Sequence, residues 1–406
     1  MKRALATALL ALAACAPQAA PPGPAPEQAE YLYLWTASAD STRPDFLAVL
    51  DVTERSPRYG RLVTTLAAPG LANGPHHTEH ELAADRRLFA NGFGSGRTFI
   101  FDLSDPVHPH LAGELGDVEG YSHPHSFLRL PNGNLLATFQ MRHGAGGMEP
   151  GGLVELTPAG ATVRSGSAVT PGADTGLRVY SAGIVAPLDR IVTTSTDMMA
   201  DHPASRLVQV WRLSDLEPIG AINLPDGPAG GEGLLTAEPR VLDDGRTVLV
   251  STFNCGLYLL EGLEGPAPSA RLVASFPRMD RTYCAIPVVA GDYYLVTVPA
   301  WNAVVSLDIG DPAAPREVSR VTLGSGDVPH WIALSPDRRR VVLTGFGAMQ
   351  NRVVILRFDP ATGLLAVDER FREEGASEPG FTMAGKAWPH GGNAAGIPHG
   401  AVFSRE

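Results

Sequence analysis

The sequence predicts an all-β fold, a seven-bladed β-propeller closed by its C-terminal strand. Three observations predict it. A strand–turn–strand unit recurs seven times, a second strand pair precedes most copies, and the last residues repeat the opening of an inner strand.

The recurring unit is clearest in "FIFDLSDPVHPHLAGEL" (99–115) and "VVSLDIGDPAAPREVSRV" (304–321). In each, an alternating apolar strand ends at Asp, a turn containing Asp-Pro follows and a second strand leaves. Weaker copies run over 47–66, 152–166, 208–224, 256–276 and 353–371, with first strands starting about 50 residues apart. The preceding strand pair is plain in "HSFLRLPNGNLLATF" (125–139), "PRVLDDGRTVLVSTF" (239–253) and "HWIALSPDRRRVVLTGF" (330–346). Four short strands per unit, repeated evenly at this period, describe propeller blades better than a β-sandwich pair or a solenoid. The segment "EYLYLWTASA" (30–39) has no strand before it in the domain, whereas "IPHGAVFSRE" (397–406) begins like the inner strands "HPHSFLRL" and "VPHWIALS". Residues 399–404 are therefore expected to supply the innermost strand of blade 1, which removes two exposed sheet edges.

Residues 1–14 read as a signal peptide: Lys2 and Arg3 precede an apolar run, Ala4 to Ala14, too short for the about 20 residues a membrane span needs. "LAAC" (12–15) resembles the bacterial lipobox, which implies lipidation of Cys15. A Pro/Ala-rich tether is expected over 15–29 and the propeller over 30–406. The expected location is the periplasmic side of a membrane, touched through the lipid anchor only. A formal net charge of −11 without a basic patch argues against a nucleic-acid partner. The 44 glycines and 35 prolines argue for turns over long helices. Beyond Cys15, only Cys255 and Cys284 remain, and whether they form a disulfide stays open.

The chemistry lies in the histidines. Three of the 12 fall in "GPHHTEHE" (74–81). In the predicted fold His76, His77 and His80 start the inner strand of blade 2, His123 and His125 that of blade 3, His330 that of blade 7 and His399 that of blade 1. Cys284 starts that of blade 6. Residues far apart in the chain thus meet at one mouth of the channel. Several imidazoles buried at one depth are costly unless a cation binds them. Imidazole suits copper, zinc, iron or nickel, and a nearby thiol or carboxylate would complete the shell. Strand alternation puts His77, Glu79 and Glu81 on one face and His76, Thr78 and His80 on the other, so only one set is expected to face the channel. The other would stand behind, where a carboxylate orients a ligating histidine. His108, His110, His143 and His202 are expected in solvated outer turns. His390, in "AWPHGGN", either caps the channel mouth or is a bystander. No Gly-x-Ser-x-Gly, His-Glu-x-x-His or phosphate-cradling loop is present.

At these residues the chain resembles the selenium-binding protein family, which includes methanethiol oxidases. "DFLAVLDVTERSPRYGRLVTTLAAPG" (45–70) looks like the family's opening blade, followed by a His-His pair, here His76 and His77. "RTFIFDLSDPVHPHLAGEL" and "SHPHSFLRLPNGNLLATF" look like its second and third blades, with His123 and His125 at a pair of nearby histidines. "PHGAVFS" resembles its last motif, with His399 at the histidine. The resemblance implies a seven-bladed propeller and, in the thiol oxidases, copper and the conversion of methanethiol, oxygen and water to formaldehyde, hydrogen sulfide and hydrogen peroxide. The animal members carry a cysteine-rich segment after the His-His pair. Those cysteines are proposed to bind selenium, and the corresponding "TEHELAADRR" has none. The expected site is copper held by His77, His125, His330 and His399, with His76, His80 and His123 nearby. The expected substrate is a small thiol, its proton taken by Glu79 or Glu81. Two other functions stay open: a propeller lactonase or hydrolase, and a non-enzymatic lipoprotein that binds a metal or a partner.

Overall fold

The computed structural model describes residues 29–144, 147–170, 177–199, 204–277, 283–324, 326–345 and 351–405. The predicted signal peptide, Cys15, nearly all of the tether and His202 lie outside them. The described residues form seven antiparallel sheets, each with four consecutively hydrogen-bonded strands, and only two short 3₁₀ turns, Ala186–Leu188 and Pro299–Trp301. The predicted hairpins are the two outer strands of each blade. Gly396–Phe403 pairs with Tyr31–Ser38 as the innermost strand of blade 1, so the ring closes as expected. Arg340 of blade 7 also ties the ring at this seam: it donates to Val52 O at 2.6 Å and pairs with Glu30 at 2.6 Å.

The strands form for ordinary reasons. Apolar residues line both faces of the middle strands, because each blade is packed between two others. Trp35 of blade 1, for example, packs on Phe99 and Phe101 of blade 2 at 5.3 and 5.4 Å. Outer strands such as Arg316–Thr322 alternate with solvent.

The inner strands carry an irregularity that the alternating pattern does not reveal. In blade 2, Pro75 pairs with Gly92 and Thr78 with Ala90, leaving two residues, His76 and His77, opposite Asn91 alone. The same β-bulge places His125 and Ser126 opposite Thr138, Ala237 and Glu238 opposite Ser251, and His399 and Gly400 opposite Trp35. In blade 7 the extra residue is His330. Blades 4 and 6 place Tyr180 and Ser181, and Ala285 and Ile286, at the same height through loop hydrogen bonds to Thr194 and Thr297.

The residue opposite each bulge is a side-chain donor, and in six blades it reaches the next blade. Trp35 Nε1 donates to Asn91 O and Asn91 Nδ2 to His125 O. Thr138 donates to Tyr180 O, Thr194 to Ala237 O, Thr297 to His330 O and Thr344 to His399 O. Ser251 donates instead to Glu238 O of its own blade, and Arg240 Nε spans the fifth junction to Pro287 O. These bonds satisfy buried carbonyls that the bulges remove from the strand ladder.

Cys255 and Cys284 form a disulfide with Cα atoms 5.0 Å apart. It joins the entry of the third strand of blade 5 to the segment leading into blade 6.

Replacing Thr344 by valine keeps the shape and deletes the donor to His399 O. The buried carbonyl left behind costs about 1–3 kcal/mol. Thr344→Val is therefore expected to lower the urea midpoint, measured by tryptophan fluorescence, while an unchanged midpoint would show the bond to be dispensable.

Candidate metal centre

The bulges define a ring of seven equivalent positions around the channel. In blade order 1 to 7 they hold His399, His76, His125, Tyr180, Ala237, Ala285 and His330. One position further along the strands stand Gly400, His77, Ser126, Ser181, Glu238, Ile286 and Trp331. Four ring positions and one deeper position are therefore imidazoles, all buried.

They converge. His76 and His77 stack at 4.3 Å, with their planes 15° apart. His76 lies 4.1 Å from His399 and 5.0 Å from His125, ring centroid to centroid. His77 lies 4.2 Å from His125, and His330 lies 4.8 Å from His399. Ligand atoms of His76, His77 and His399 all fall within 4.8 Å of one another. His76 Nε2 and His125 Nε2 lie 3.1 Å apart. Among the described residues His77 Nε2 is buried without a hydrogen-bond partner. Such a buried nitrogen, with four further imidazoles around it, fits a cation that prefers nitrogen. The residues present therefore fit copper, and equally zinc, iron or nickel. His76, His77 and His399 would hold it, with His125 and His330 adjoining.

The bulge also explains a departure from alternation. A regular strand would send His76 and His77 to opposite faces, whereas the extra residue lets both enter the cluster. Beyond the bulge Glu79, His80 and Glu81 stand along a cavity of about 810 Å³ at the other end of the channel. There His80 Nδ1 bonds Ile332 O at 3.1 Å, Nε2 accepts from Arg240 at 3.1 Å, and the ring stacks on Trp331 at 4.2 Å. With both nitrogens engaged, His80 is not brought into the cluster; it reaches His77 only through Trp331, which lies 4.8 Å from that ring.

Nor does His123 join. It precedes the ring residue by two and adopts φ 57°, and its half-buried imidazole bonds Ser122 Oγ at 3.2 Å. Glu79 is buried, which pushes its carboxyl up to about 7 against the pull of Arg129, a value suited to proton exchange. Its oxygens, however, face Arg129 Nε at 2.6 Å and the Phe89 amide at 3.0 Å, not the histidines. Glu81 is exposed. The thiol-proton role given to these two carboxylates has no geometric support. Cys284 is held in its disulfide and offers no thiolate. His108 and His143 are exposed, as is His110, and His390 bonds Thr65 Oγ1 at 2.7 Å against Phe46, outside the cluster.

Three residues at this level carry signals the sequence reading missed. Tyr180 packs on His125 at 3.8 Å. Trp331 supports His77 and donates to Ala401 O. Glu238 is buried; its Oε2 accepts from Ser181 at 2.6 Å and Arg240 at 2.7 Å, and its Oε1 has no partner among the described residues. Each is found by aligning the repeats on the bulge and reading across.

Burial holds the imidazoles neutral. It pushes His125 down to about 3 and His330 down to about 4. His76, His77 and His399 are driven well below the ordinary range by burial and then by repulsion from neighbouring imidazoles.

The class defined by fold and site is a seven-bladed propeller with a buried histidine centre at one mouth of its channel. No family model matches the chain. A methanethiol oxidase of Hyphomicrobium sp is 29% identical over 230 residues, 50% of this chain and 50% of that protein. Selenium-binding protein 2 of Arabidopsis thaliana is 30% identical over 137 residues, 30% of this chain and 28% of that protein. The matches thus span half or less of these relatives. A hypothetical selenium-binding protein from Sulfolobus tokodaii superposes with a TM-score of 0.73 at 17% identity, covering 94% of both chains. The periplasmic gluconolactonase of Pseudomonas aeruginosa superposes with 0.63 at 14% identity, covering 93% of this chain and 99% of that one. At these identities the two structures speak for the fold alone. Over these stretches the chain is similar to a methanethiol oxidase and a selenium-binding protein, in line with the resemblance its histidine motifs carry.

Metal-free protein is expected to lose stability on acidification. The imidazoles are neutral when folded but titrate near 6.5 when unfolded, so the unfolded chain binds more protons and stability rises with pH. The contribution is complete above about pH 6.5 and is lost as pH falls towards the folded values near 4 and 3. Thermal midpoints measured from neutral to acidic pH should fall through this window, and less steeply in His125→Asn; parallel curves would contradict the assignment.

Proposed function

We propose that this chain is an exported, copper-dependent oxidase of a small thiol. The supporting observation is the convergence of His76, His77, His125, His330 and His399 in one buried cluster. The reaction proposed is that implied by the methanethiol oxidase relative: methanethiol, oxygen and water give formaldehyde, hydrogen sulfide and hydrogen peroxide. Bound copper would supply the redox couple that zinc lacks.

The chain's own residues do the rest. The imidazoles are kept neutral and hence available as ligands. Tyr180 and Trp331 wall the cluster with aromatic surface, which excludes water and strengthens charge interactions within. The Ser181–Glu238–Arg240 network holds a buried carboxylate one position deeper. The Cys255–Cys284 disulfide supports an oxidising compartment. This agrees with export as a lipoprotein anchored through Cys15 on the periplasmic side.

Copper-loaded protein is expected to consume methanethiol and release hydrogen peroxide. His77→Ala and His399→Ala should each lower copper content on dialysis and reduce turnover by roughly a hundredfold or more, the scale at which a displaced catalytic geometry is felt. A protein that stays metal-free after loading, or keeps full activity in both variants, would sink the proposal.

A further inference from the structure

The seven ring positions are unequal. Blades 7, 1, 2 and 3, which are consecutive around the closed ring, contribute His330, His399, His76 and His125. Tyr180 of blade 4 extends this aromatic arc by packing on His125. Blades 5 and 6 complete the circle with a methyl group each, from Ala237 and Ala285. Both alanines are buried, yet neither belongs to any of the apolar clusters that join the blades. Their register is the one that turns His76 and His125 to the channel.

By this equivalence of position the ring turns imidazole rings to one side of its centre and two methyl groups to the other. The backbone on this side is fixed as firmly as under the histidines: Thr194 holds Ala237 O, and the Ala285 amide donates to Thr297 O at 2.9 Å. The disulfide joins Cys284, next to Ala285, to blade 5. Such a wall yields little to a larger ligand, since a packed interior accommodates added volume only at a cost.

We propose that Ala237 and Ala285 form the wall against which the substrate's alkyl group rests, and that they limit it to a short chain. The substrate class rests on the thiol reading above; the wall itself does not. An apolar wall discriminates through each added methylene, by roughly tenfold or more where the fit is tight.

The test measures binding rather than turnover. Copper(I)-loaded protein is titrated without oxygen with methanethiol, ethanethiol and butanethiol, and separately with methyl and butyl isocyanide, which bind copper(I) without being thiols. X-ray absorption at copper, and the isocyanide stretch in the infrared, report binding. Wild-type protein should bind the methyl member of each series roughly tenfold or more tighter than the butyl member. Ala237→Gly and Ala285→Gly should narrow that ratio, and Ala285→Leu should widen it, with copper content unchanged. If the isocyanides respond in this way but no thiol binds, the thiol reading fails and the wall stands. If neither series changes its length preference in the glycine variants, the wall is overturned. A protein that binds no copper overturns both.

Discussion

The site depends on one constraint: the bulge at the start of the inner strands, locked by a hydrogen bond from the preceding blade. A regular strand alternates its side chains and would spread neighbouring histidines over two faces. The extra residue breaks that alternation at the channel mouth. The cost is a set of carbonyls lost from the strand ladder, and burial makes each such loss expensive. Asn91, Thr138, Thr194, Thr297 and Thr344 answer it, and the carbonyls they hold belong to His125, Tyr180, Ala237, His330 and His399. The same bonds that join blade to blade thus fix the residues that face the channel.

Closure follows the same logic. His399 enters the ring only because Gly396–Phe403 returns to blade 1. Thr344 of blade 7 then holds its carbonyl as Thr138 holds that of Tyr180. A blade sequence that is only moderately apolar can therefore place a cluster of five imidazoles where water is excluded. Their neutrality follows from burial, and it leaves nitrogen lone pairs in a space that suits a transition metal.

Much of this was legible in the sequence. Asp-Pro hairpins gave the blades, and the Pro-His pairs at 75–76, 124–125, 329–330 and 398–399 marked the ring, whereas those at 109–110 and 389–390 lie outside it. The rest was hidden for a physical reason. Strand period alone cannot locate a bulge, so the choice between His76 and His77 was posed as an alternative when the fold admits both. The same period carried Glu79 and His80 towards the site, whereas past the bulge they belong to the opposite end of the channel, held by Arg129 and Arg240. His123 looked equivalent to His125, but it takes a left-handed backbone within the strand, before the bulge, and its ring rests on Ser122 outside the cluster. The polar residue in the second strand of most blades, as in "LLATF", "YLVTV" and "VVLTG", was the available signal for the bulge.

The central claim is that buried imidazoles from consecutive blades form one metal centre. X-ray absorption of copper-loaded protein tests it most directly. The account predicts a first shell of nitrogen with the outer scattering of several imidazole rings and no cysteine thiolate, because Cys255 and Cys284 are in a disulfide. A shell with thiolate sulfur, or one of oxygen without imidazole scattering, would contradict it.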